Sequence, residues 1–480
     1  MTSMHIRIPE KIKRLAERVR REGGRALLVG GCVRDALLGT EPKDWDVEVY
    51  GLHPERLRRI LDEMFESVDA VGASFAIYKV GPDLEVSLPR RERKSGRGHR
   101  AFVIQGDPAM TVEEATRRRD FTINAILMDP LSGEIIDPFG GRADLEARRL
   151  RAVSPLSFPE DSLRVLRAAQ FAARFHLDIE PETVALCRTI DLSDLPAERI
   201  WGEMEKLLGA DRPSIGLRWL VELGAVHQLF PEIEALIGCP QDPEWHPEGD
   251  VFTHTLLVVD RARELVADLD RPRRLALMLA ALCHDFGKPL TTQFIEGRLR
   301  APAHDVKGVP VAENFLDRLN IHSLDGYDLR AQTLALVREH MRPGQFYEER
   351  ARISDGAFRR LAQRCELELL YRLALADVLG RGGIETPHQR AAATAAAEWF
   401  IKRARELNVE RKAPEPILMG RHLIEMGFRP SPLFGRVLRA VYDMQLDGRV
   451  TNLEEAMRAA RDLFARLEAE GLGLKARDAR

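Results

Sequence analysis

Two carboxylates one residue apart stand at the start of an apolar segment, in the stretch DWDVEVY at 44–50. Successive side chains of a β-strand point to opposite faces, so Asp44 and Asp46 project from the same face. Like charges that close repel one another unless a cation lies between them. Carboxylate oxygens are ligands that Mg²⁺ prefers, so the pair predicts a shared magnesium site. A capping Asp44 beside a solvated Asp46 would explain an isolated D-x-D equally well.

A phosphate-binding turn is predicted just before these acids, in GGCVRD at 30–35. Gly30 and Gly31 lie between a short strand and a helix, so backbone N–H groups near the helix N-terminus would attract an anion. Arg34 adds a fork-shaped positive charge one turn further on. Phosphate and Mg²⁺ would then meet beside Asp44 and Asp46, as a metal-assisted in-line displacement of pyrophosphate requires.

The elements that must position these residues belong to a long chain. Its 480 residues exceed what one hydrophobic core usually covers, which predicts two to four domains. With 72 basic and 75 acidic residues the net charge is −3, so a nucleic acid would bind local basic patches. The longest apolar run, LALMLAALC at 275–283, is too short to cross a bilayer, and the N-terminus lacks a secretory apolar core. Five scattered cysteines without C-x-x-C spacing argue against a disulfide framework, and no membrane association and a cytoplasmic location are expected.

Hydrophobic periodicity predicts a mixture of strands and helices over the first 150 residues and almost only helices after Ser157. Helices are predicted at 11–21 and at VRDALLG, where Gly39 ends the second one. Strands are predicted at RALLVGG, DVEVY, FAIYKV and DLEVSL. The basic, glycine-bearing stretch PRRERKSGRGHR at 89–100 is predicted to be a mobile loop. Glu48 is interpreted as a charge on the rim of the site, with a further acid near the metal as the alternative.

Five ordered motifs over residues 25–210 resemble the bacterial tRNA nucleotidyltransferases, or CCA-adding enzymes, and their poly(A) polymerase relatives. The motifs are GGCVRDALLG with DWDV, RRRDFTINAI at 117–126, DPFGGRADLEARRLRAV at 137–153, FPEDSLRVLRAAQFAARF at 158–175 and AERIWGEMEKLL at 197–208. They look like the family's phosphate and metal segment, ribose segment, head-to-neck hinge, nucleotide-selecting helix and the segment that supports this helix. The resemblance implies Mg²⁺ in the head, with Asp44 and Asp46 as catalytic acids, and tRNA, ATP and CTP as partners.

The same resemblance assigns roles to the later motifs. It implies that Arg119 and Asp120 contact the sugar and triphosphate of the incoming nucleotide. It also implies that Asp161 and Arg164 present an acceptor and donors to the edge of a cytosine or adenine, although spacing alone equally suits an ion pair on a helix. Glu85, in a neighbouring strand, is a candidate third acid at the metal.

Local hydrogen bonding gives simpler expectations for the residues around these motifs. Thr111 and Glu114 have the spacing of a capping box that starts a helix, and so have Ser157 and Glu160. Asn124 is expected to order the local backbone.

Histidines and carboxylates recur on the predicted helices of the third segment. They are His254, His284, Asp285, His304, His340 and Asp377. Each of these histidines taken alone is as well explained as a structural residue. Their order resembles the HD superfamily of metal-dependent phosphohydrolases, which implies a divalent ion that polarises a phosphate and activates water. The resemblance is strongest at His254, His284, Asp285 and Asp377.

The chain is therefore predicted to have an α/β head of the polymerase-β-like nucleotidyltransferase class, followed by mostly α-helical domains. The predicted domains are the head at 1–150, a helical neck at 151–240, an HD domain at 241–388 and a helical tRNA-binding tail at 389–480. CCA addition to tRNA is the expected activity. A poly(A) polymerase, an enzyme that adds only A or only CC, and an HD nucleotide hydrolase are the alternatives, while a degenerate RNA-binding protein is disfavoured because every candidate catalytic acid is present.

Overall fold

The computed structural model describes residues 7–70, 77–94, 102–384 and 386–469, without the side chains of 91–94, 102–106 and 468–469. The chain divides into two compact units, Met1–Glu234 and Ala235–Arg480. This division lies close to the predicted boundary at 240, and the finer four-part division stays a prediction. Within the described ranges, no helix is both long and apolar enough to span a membrane.

The first unit contains eleven α-helices and eleven strands within its described residues. The strands are β1 (Arg25–Val29), β2 (Trp45–Tyr50), β3 (Val68–Ala70), β4 (Ile77–Val80), β5 (Leu84–Ser87), β6 (Arg90–Lys94), β7 (Phe102–Gly106), β8 (Leu127–Met128), β9 (Ile135–Ile136), β10 (Arg149–Leu150) and β11 (Asp178–Ile179). The helices are α1 (Glu10–Arg21), α2 (Gly31–Leu37), α3 (Pro54–Met64), α4 (Val112–Arg117), α5 (Gly141–Glu146), α6 (Arg164–Phe175), α7 (Pro181–Cys187), α8 (Ala197–Leu208), α9 (Pro213–Glu222), α10 (Ala225–Leu229) and α11 (Pro231–Glu234). The predicted class, an α/β head followed by mostly helical structure, is confirmed.

Seven strands of the first unit form one mixed sheet in the order β3-β4-β5-β2-β1-β8-β9. Strand β1 is buried on both faces, which explains its continuous apolar sequence. Its Leu28 packs into the core with α1 and α3, whereas Leu27 packs into a second core with Met110 and Ala115 at helix α4. The sheet therefore has one face toward α1 and α3 and the other toward α4.

The predicted loop at 89–100 is partly wrong. Arg90–Lys94 forms strand β6, which pairs antiparallel with β7 in a separate two-stranded sheet. A ladder of backbone hydrogen bonds stabilises the strand whatever the charge of its side chains, and composition alone does not reveal this partner. Residues 95–100 lie outside the described ranges.

The second unit is built from helices and one short hairpin. The helices are α12 (Val251–Glu264), α13 (Arg271–Cys283), α14 (Lys288–Thr291), α15 (His304–Arg318), α16 (Leu329–Glu339), α17 (Arg342–Glu348), α18 (Asp355–Ala362), α19 (Leu367–Leu379), α20 (Pro387–Glu406), α21 (Gly420–Glu425), α22 (Pro432–Leu446) and α23 (Leu453–Ala469). The hairpin consists of β12 (Gln293–Ile295) and β13 (Arg298–Arg300).

Helix α13 is the centre of the second unit. Every residue from Leu275 to Cys283 is buried, because α12, α16 and α19 all pack against this helix. An apolar helix that is hydrophobic on all sides requires such an enclosed position. Its carboxyl end therefore delivers His284 and Asp285 directly into the interior.

The last helices have a core of their own. Helix α20 packs against α17 and α19, whereas α21, α22 and α23 enclose a separate cluster around Leu423, Val437 and Phe464. The segment from α21 onward is thus a small helical module within the second unit.

Candidate functional sites

The acids of strands β2 and β5 lie side by side on the α4 face of the sheet. The two strands are parallel, and their register pairs Asp46 with Glu85. Burial, together with repulsion from Glu85 and Asp44, outweighs the opposing charge of Arg119 and raises the pKa of Asp46 to about 6. A divalent cation would relieve this repulsion, and three carboxylates offer the oxygen ligands that suit Mg²⁺. The residues present therefore fit the metal that the motif implies.

Gly30 allows the guanidinium of Arg119 to approach these acids. At this position φ is +71°, a conformation that glycine adopts without strain. A Cβ added to Gly30 would lie 2.8 Å from Nη1 of Arg119 and 4.0 Å from Oδ2 of Asp46. A larger residue would therefore displace the arginine. The same Nη1 donates to the carbonyl oxygen of Asn124 at 3.3 Å.

A buried polar chain connects the glycine turn with helix α6. Nη1 of Arg34 donates to Oδ1 of Asn124 at 2.6 Å, and Nδ2 of Asn124 donates to Oδ1 of Asp120 at 3.0 Å. Oδ2 of Asp120 accepts from Nε and Nη2 of Arg167 at 2.9 and 2.6 Å. Burial alone would raise the pKa of Asp120, but the charge of Arg167 and the hydrogen bond from Asn124 outweigh it and lower this pKa. Asp120 is thus an ionised carboxylate held by protein donors.

Aromatic rings of α6 support the same chain. The guanidinium carbon of Arg34 lies 4.4 Å from the ring centre of Phe175 and 5.3 Å from that of Phe171. The guanidinium carbon of Arg167 also lies over Phe171, 5.1 Å from its ring centre. Such contacts stabilise cations that have lost much of their hydration.

Asp161 and Arg164 do not pair with each other. Oδ2 of Asp161 accepts from Nη2 of Arg199, on helix α8, at 3.0 Å. Arg164 donates instead to the backbone carbonyls of Ser157, at 2.7 Å, and Arg118, at 2.6 Å. The ion-pair alternative is therefore wrong for these two residues, and Arg164 is held against the arginine segment that follows α4.

Two local expectations near this segment fail, and one is confirmed. Thr111 and Glu114 form the predicted capping box. Ser157 makes no side-chain cap, because its hydroxyl donates to the carbonyl of Arg117 at 3.0 Å. Residues 158–160 form a 3₁₀ turn, and α6 begins only at Arg164. Asp161 therefore precedes the helix that the sequence predicts to contain it.

The rim position predicted for Glu48 is also wrong. Glu48 is only 3% exposed, and its carboxylate accepts a hydrogen bond from the hydroxyl of Tyr50. Burial comes first among the causes that raise the pKa of Tyr50, followed by the charge of Glu48. Glu48 is thus satisfied by Tyr50, two residues along the same face of β2. The pairing is necessary because α4 packs on this face and buries both side chains.

A second cluster of ligand atoms lies in the second unit, at the end of α13. Nε2 of His284 lies 3.2 Å from Oδ2 of Asp285, and Nε2 of His304 lies 3.4 Å from its Oδ1. Nε2 of His254 lies 3.1 Å from Oδ1 of Asp377, and the Nε2 atoms of His304 and His340 are 3.2 Å apart. The fold thus brings together all six residues that the sequence predicts as metal ligands.

The buried atoms of this cluster are suited to a metal ion. Nε2 of His284 and Oδ2 of Asp285 are both buried, and the nearest cation to Oδ2 is Nζ of Lys288, at 2.7 Å. The ligand atoms of His254, His284 and Asp285, and those of Asp285, His304 and His340, lie within 4.8 Å of one another in each group, which matches the donor set of a divalent transition metal. Burial, with His304 and His284, lowers the pKa of His340 to about 4, so its imidazole is in the neutral form that binds metals.

Backbone carbonyls orient three of these imidazoles. Nδ1 of His284, His304 and His340 lies 2.9, 2.8 and 2.7 Å from the carbonyl of the residue three positions earlier. Because a carbonyl only accepts, each Nδ1 carries the proton and each Nε2 is left as the ligand atom.

A carboxylate orients the fourth imidazole. Oε1 of Glu248 lies 2.8 Å from Nδ1 of His254 and 2.9 Å from Nδ1 of His246, and Oε2 accepts from the backbone N–H of Gly382 at 2.9 Å. Burial raises the pKa of Glu248, but the two histidines and the N–H outweigh it and hold this pKa well below its usual range. Burial alone would lower the pKa of His254, but Asp377 and Glu248 outweigh it, and this pKa is raised.

Close approach of two helices brings His304 to Asp285. A Cβ added to Gly287 would lie 2.0 Å from the carbonyl oxygen of His304 and 2.6 Å from the backbone nitrogen of Gly308. Only glycine at position 287 lets the turn after α13 lie against the start of α15.

Three family models match separate parts of the chain. Residues 26–151 match a family model described as the poly A polymerase head domain, residues 176–237 one described as "Probable RNA and SrmB- binding site of polymerase A", and residues 251–382 the HD domain. The chain is 39% identical over 398 residues to the multifunctional CCA protein of Actinobacillus pleuropneumoniae serotype 5b, covering 80% of this chain and 92% of that protein. It is 40% identical over 375 residues to that of Xanthomonas campestris pv. campestris strain B100, covering 75% and 86%.

The chain belongs to the multifunctional CCA protein family. Its fold is also that of solved CCA-adding enzymes. A Bacillus stearothermophilus CCA-adding enzyme in complex with CTP has a TM-score of 0.59 at 22% identity, covering 97% of this chain and 100% of that one. A Thermotoga maritima CCA-adding enzyme complexed with tRNA has a TM-score of 0.56 at 20% identity, covering 96% and 97%.

Within this multifunctional CCA protein fold, sequence reasoning missed several residues of both sites. Asn124 is more than a backbone-ordering residue, since it joins Arg34 to Asp120. Glu248 and His246 lie just after the predicted boundary at 240, in GCPQDPEWHPEGD at 238–250, a stretch rich in proline and glycine that predicts a linker. Lys288, whose Nζ lies 2.7 Å from Oδ2 of Asp285, follows that acid by three residues, and this helical spacing was the available signal.

The position of Glu248 predicts a loss of metal affinity in Glu248→Gln. The amide removes the negative charge that holds the proton on Nδ1 of His254, so affinity for Mn²⁺ or Ni²⁺ should fall roughly 10- to 100-fold. Calorimetric titration of the metal-free protein measures this. Glu244→Gln is the matched control, since Glu244 is exposed and pairs with Arg298 in the hairpin. Equal affinities for Glu248→Gln and the unaltered protein would contradict the assigned role.

Proposed function

We propose that this chain adds CCA to the 3′ end of tRNA in the cytoplasm, using CTP and ATP without a nucleic-acid template, and that its HD domain hydrolyses phosphoesters. Asp44 and Asp46 are the proposed catalytic acids, with Glu85 as a third acid beside them. They would hold Mg²⁺, which supplies charge neutralisation for the attacking hydroxyl and the departing pyrophosphate.

The contact that best supports nucleotide addition joins the selecting segment to the acid cluster. Arg164 donates to the carbonyl of Arg118, the residue next to Arg119, whose guanidinium lies against Gly30 and near Asp46. A base edge read at Arg164 and a phosphate held at Arg119 would therefore belong to one nucleotide. Asp120 and Asn124 serve this arrangement by holding Arg34 and Arg167 in place.

The nucleotide-selecting step relies on protein hydrogen bonds. Asp161 is half-exposed. Its Oδ2 accepts from Arg199 and its Oδ1 accepts from the backbone N–H of Leu163 at 3.2 Å, so the carboxylate is fixed in place and its remaining lone pairs can accept from a base. Arg164 is fixed by two carbonyls and keeps further N–H groups for a base. A pyrimidine or purine edge with complementary donors and acceptors would be preferred, because a mismatched edge leaves polar groups unpaired.

A first experiment tests nucleotide addition. Purified protein is incubated with tRNA that lacks its 3′ CCA, with CTP and ATP singly and together, and the added nucleotides are read. Addition of CC and then A is expected. Addition of only A, only CC or many adenosines would instead support the partial enzymes or the poly(A) polymerase.

Asp46→Asn in this assay should abolish transfer and leave tRNA binding within about twofold. Removing a metal ligand affects the chemical step and not the RNA contacts. Asp62→Asn, at an exposed acid of α3, is the matched control and should transfer normally. Near-normal incorporation by Asp46→Asn would overturn the metal assignment.

Asp161→Ala should lose selectivity before it loses activity. Each missing or mismatched contact costs on the order of 1 to 3 kcal/mol, so UTP or GTP should begin to be incorporated. Each of the four nucleotides is supplied singly to tRNA ending before CCA and to tRNA ending in CC. The matched control is Glu160→Ala, which changes the exposed residue before Asp161 and should retain the preference for CTP and then ATP. An unchanged preference in Asp161→Ala would leave a nucleotidyltransferase of unknown selectivity.

The HD site is proposed to act separately. Replacing both His284 and Asp285 by Ala should remove metal-dependent hydrolysis of 2′,3′-cyclic phosphates and small phosphoesters, because two ligands of one ion are lost. Nucleotide addition should be unchanged. Both activities are measured on the same preparation, and their joint loss would argue against separate sites.

A further inference from the structure

A cavity of ≈ 290 Å³ opens beside the histidine cluster of the second unit. Asp285, His304, His340 and Asp377 form part of its wall, so a ligand in the cavity reaches the proposed metal directly. Pockets for small molecules usually measure roughly 300–1,000 Å³. The cavity lies just below this range, a size that suits a ligand no larger than a mononucleotide.

Three cationic side chains line the same cavity. Lys288 is held by Asp285 and by Oε1 of Gln241, to which its Nζ donates at 2.7 Å. Nη2 of Arg381 lies 3.4 Å from Oδ2 of Asp377, and its buried Nε has no acceptor among the described residues. Arg300 is half-exposed in the hairpin. Positive charge beside a metal centre favours a phosphate ester over a neutral substrate.

An indole completes the lining of the cavity. Trp245 is 57% exposed, although tryptophan is usually well buried. Its turn is fixed, because the backbone nitrogens of Trp245 and His246 both donate to the carbonyl of Asp242, at 3.1 and 2.9 Å. His246 is anchored in turn by Glu248, the carboxylate that orients the ligand His254. The backbone that carries the ring is therefore anchored beside the metal ligands.

We propose that Trp245 is a specificity-determining residue that stacks on the base of a mononucleotide whose phosphate lies at the metal, Lys288 and Arg381. This inference rests on the proposed phosphohydrolase function of the HD domain. With a 2′,3′-cyclic phosphate, the oxygen of water forms a new P–O bond, one P–O bond of the ring breaks, and the proton lost by water passes to the released ribose oxygen. The product is a nucleoside monophosphate, and Trp245 takes no part in the bond changes.

The test compares two cyclic phosphates that differ in the base. Adenosine 2′,3′-cyclic phosphate carries a ring for the indole, and glycerol 1,2-cyclic phosphate does not. Stacking of a base on an aromatic side chain contributes about 1–3 kcal/mol, so Trp245→Ala should raise KM for the adenosine ester roughly tenfold. It should leave kcat for that ester and both constants for the glycerol ester unchanged. Trp245→Phe should restore most of the affinity.

The control variant is Phe294→Ala, which removes an aromatic side chain that is 73% exposed and is not part of the cavity lining. Its constants should match those of the unaltered protein. Equal losses for both esters in Trp245→Ala would indicate a structural role, and no loss for either would exclude stacking. An RNA oligonucleotide ending in a 2′,3′-cyclic phosphate is assayed in parallel, and a clear preference for it would overturn the free mononucleotide as the substrate.

A failure of the proposed hydrolysis itself is recognised separately, since the unaltered protein would then hydrolyse neither ester. Calorimetric titration with adenosine 2′-monophosphate in the presence of Mn²⁺ then tests whether Trp245 contacts the base. The part of the binding heat that disappears when His284 and Asp285 are replaced by Ala comes from the HD site alone. If Trp245→Ala leaves this part of the binding unchanged, the stacking proposal is wrong.

Discussion

The buried charge of Asp120 is the constraint on which the first unit depends. A carboxylate that is 8% exposed would be costly without partners, and Arg167 from α6, Asn124 and the backbone N–H of Phe121 supply them. Because these partners come from separate elements, the ion pair and its hydrogen bonds specify how α6 lies against the segment after α4. The positions of Arg34, Arg119 and Arg164 all follow from this arrangement.

The same principle operates in the second unit with a different chemistry. The apolar helix α13 is enclosed on all sides, and its last turn brings His284 and Asp285 into the interior, where unpaired polar atoms are unfavourable. Carbonyls and Glu248 satisfy the outer nitrogen of each imidazole, whereas the inner nitrogens face one another and the carboxylates of Asp285 and Asp377. A metal ion would complete this arrangement, which explains why a protein core tolerates so many polar groups at one point.

The two sites differ in how far their ligand atoms are already arranged for binding a metal ion. In the HD cluster, imidazole orientation and ligand spacing are already set by the fold, so ion binding requires little rearrangement. In the first unit, burial and then repulsion from Glu85 and Asp44 raise the pKa of Asp46, and Mg²⁺ with a triphosphate would remove this repulsion. Repulsion among the acids of the first unit would therefore be relieved when metal and substrate bind together, whereas a metal ion alone would complete the cluster of the second unit.

The sequence alone predicted the fold class, the motif residues and the two candidate ligand sets, because these depend on residue type and on spacing within one element. Strand alternation predicted Asp44 and Asp46 on one face, although Asp44 lies in the bend before β2, and the capping box of Thr111 needed only four residues. The burial and partners of most charged groups were decided by tertiary structure. Tyr50 is local to Glu48, but the burial of this pair came from packing on that face of the sheet, and nothing local to Asp161 indicated Arg199, which is 38 residues away. The roles of Asn124, Glu248 and Trp245 arise in the same way, since side chains from distant elements meet only when the helices and strands pack, and burial then requires each polar group to find its partner there.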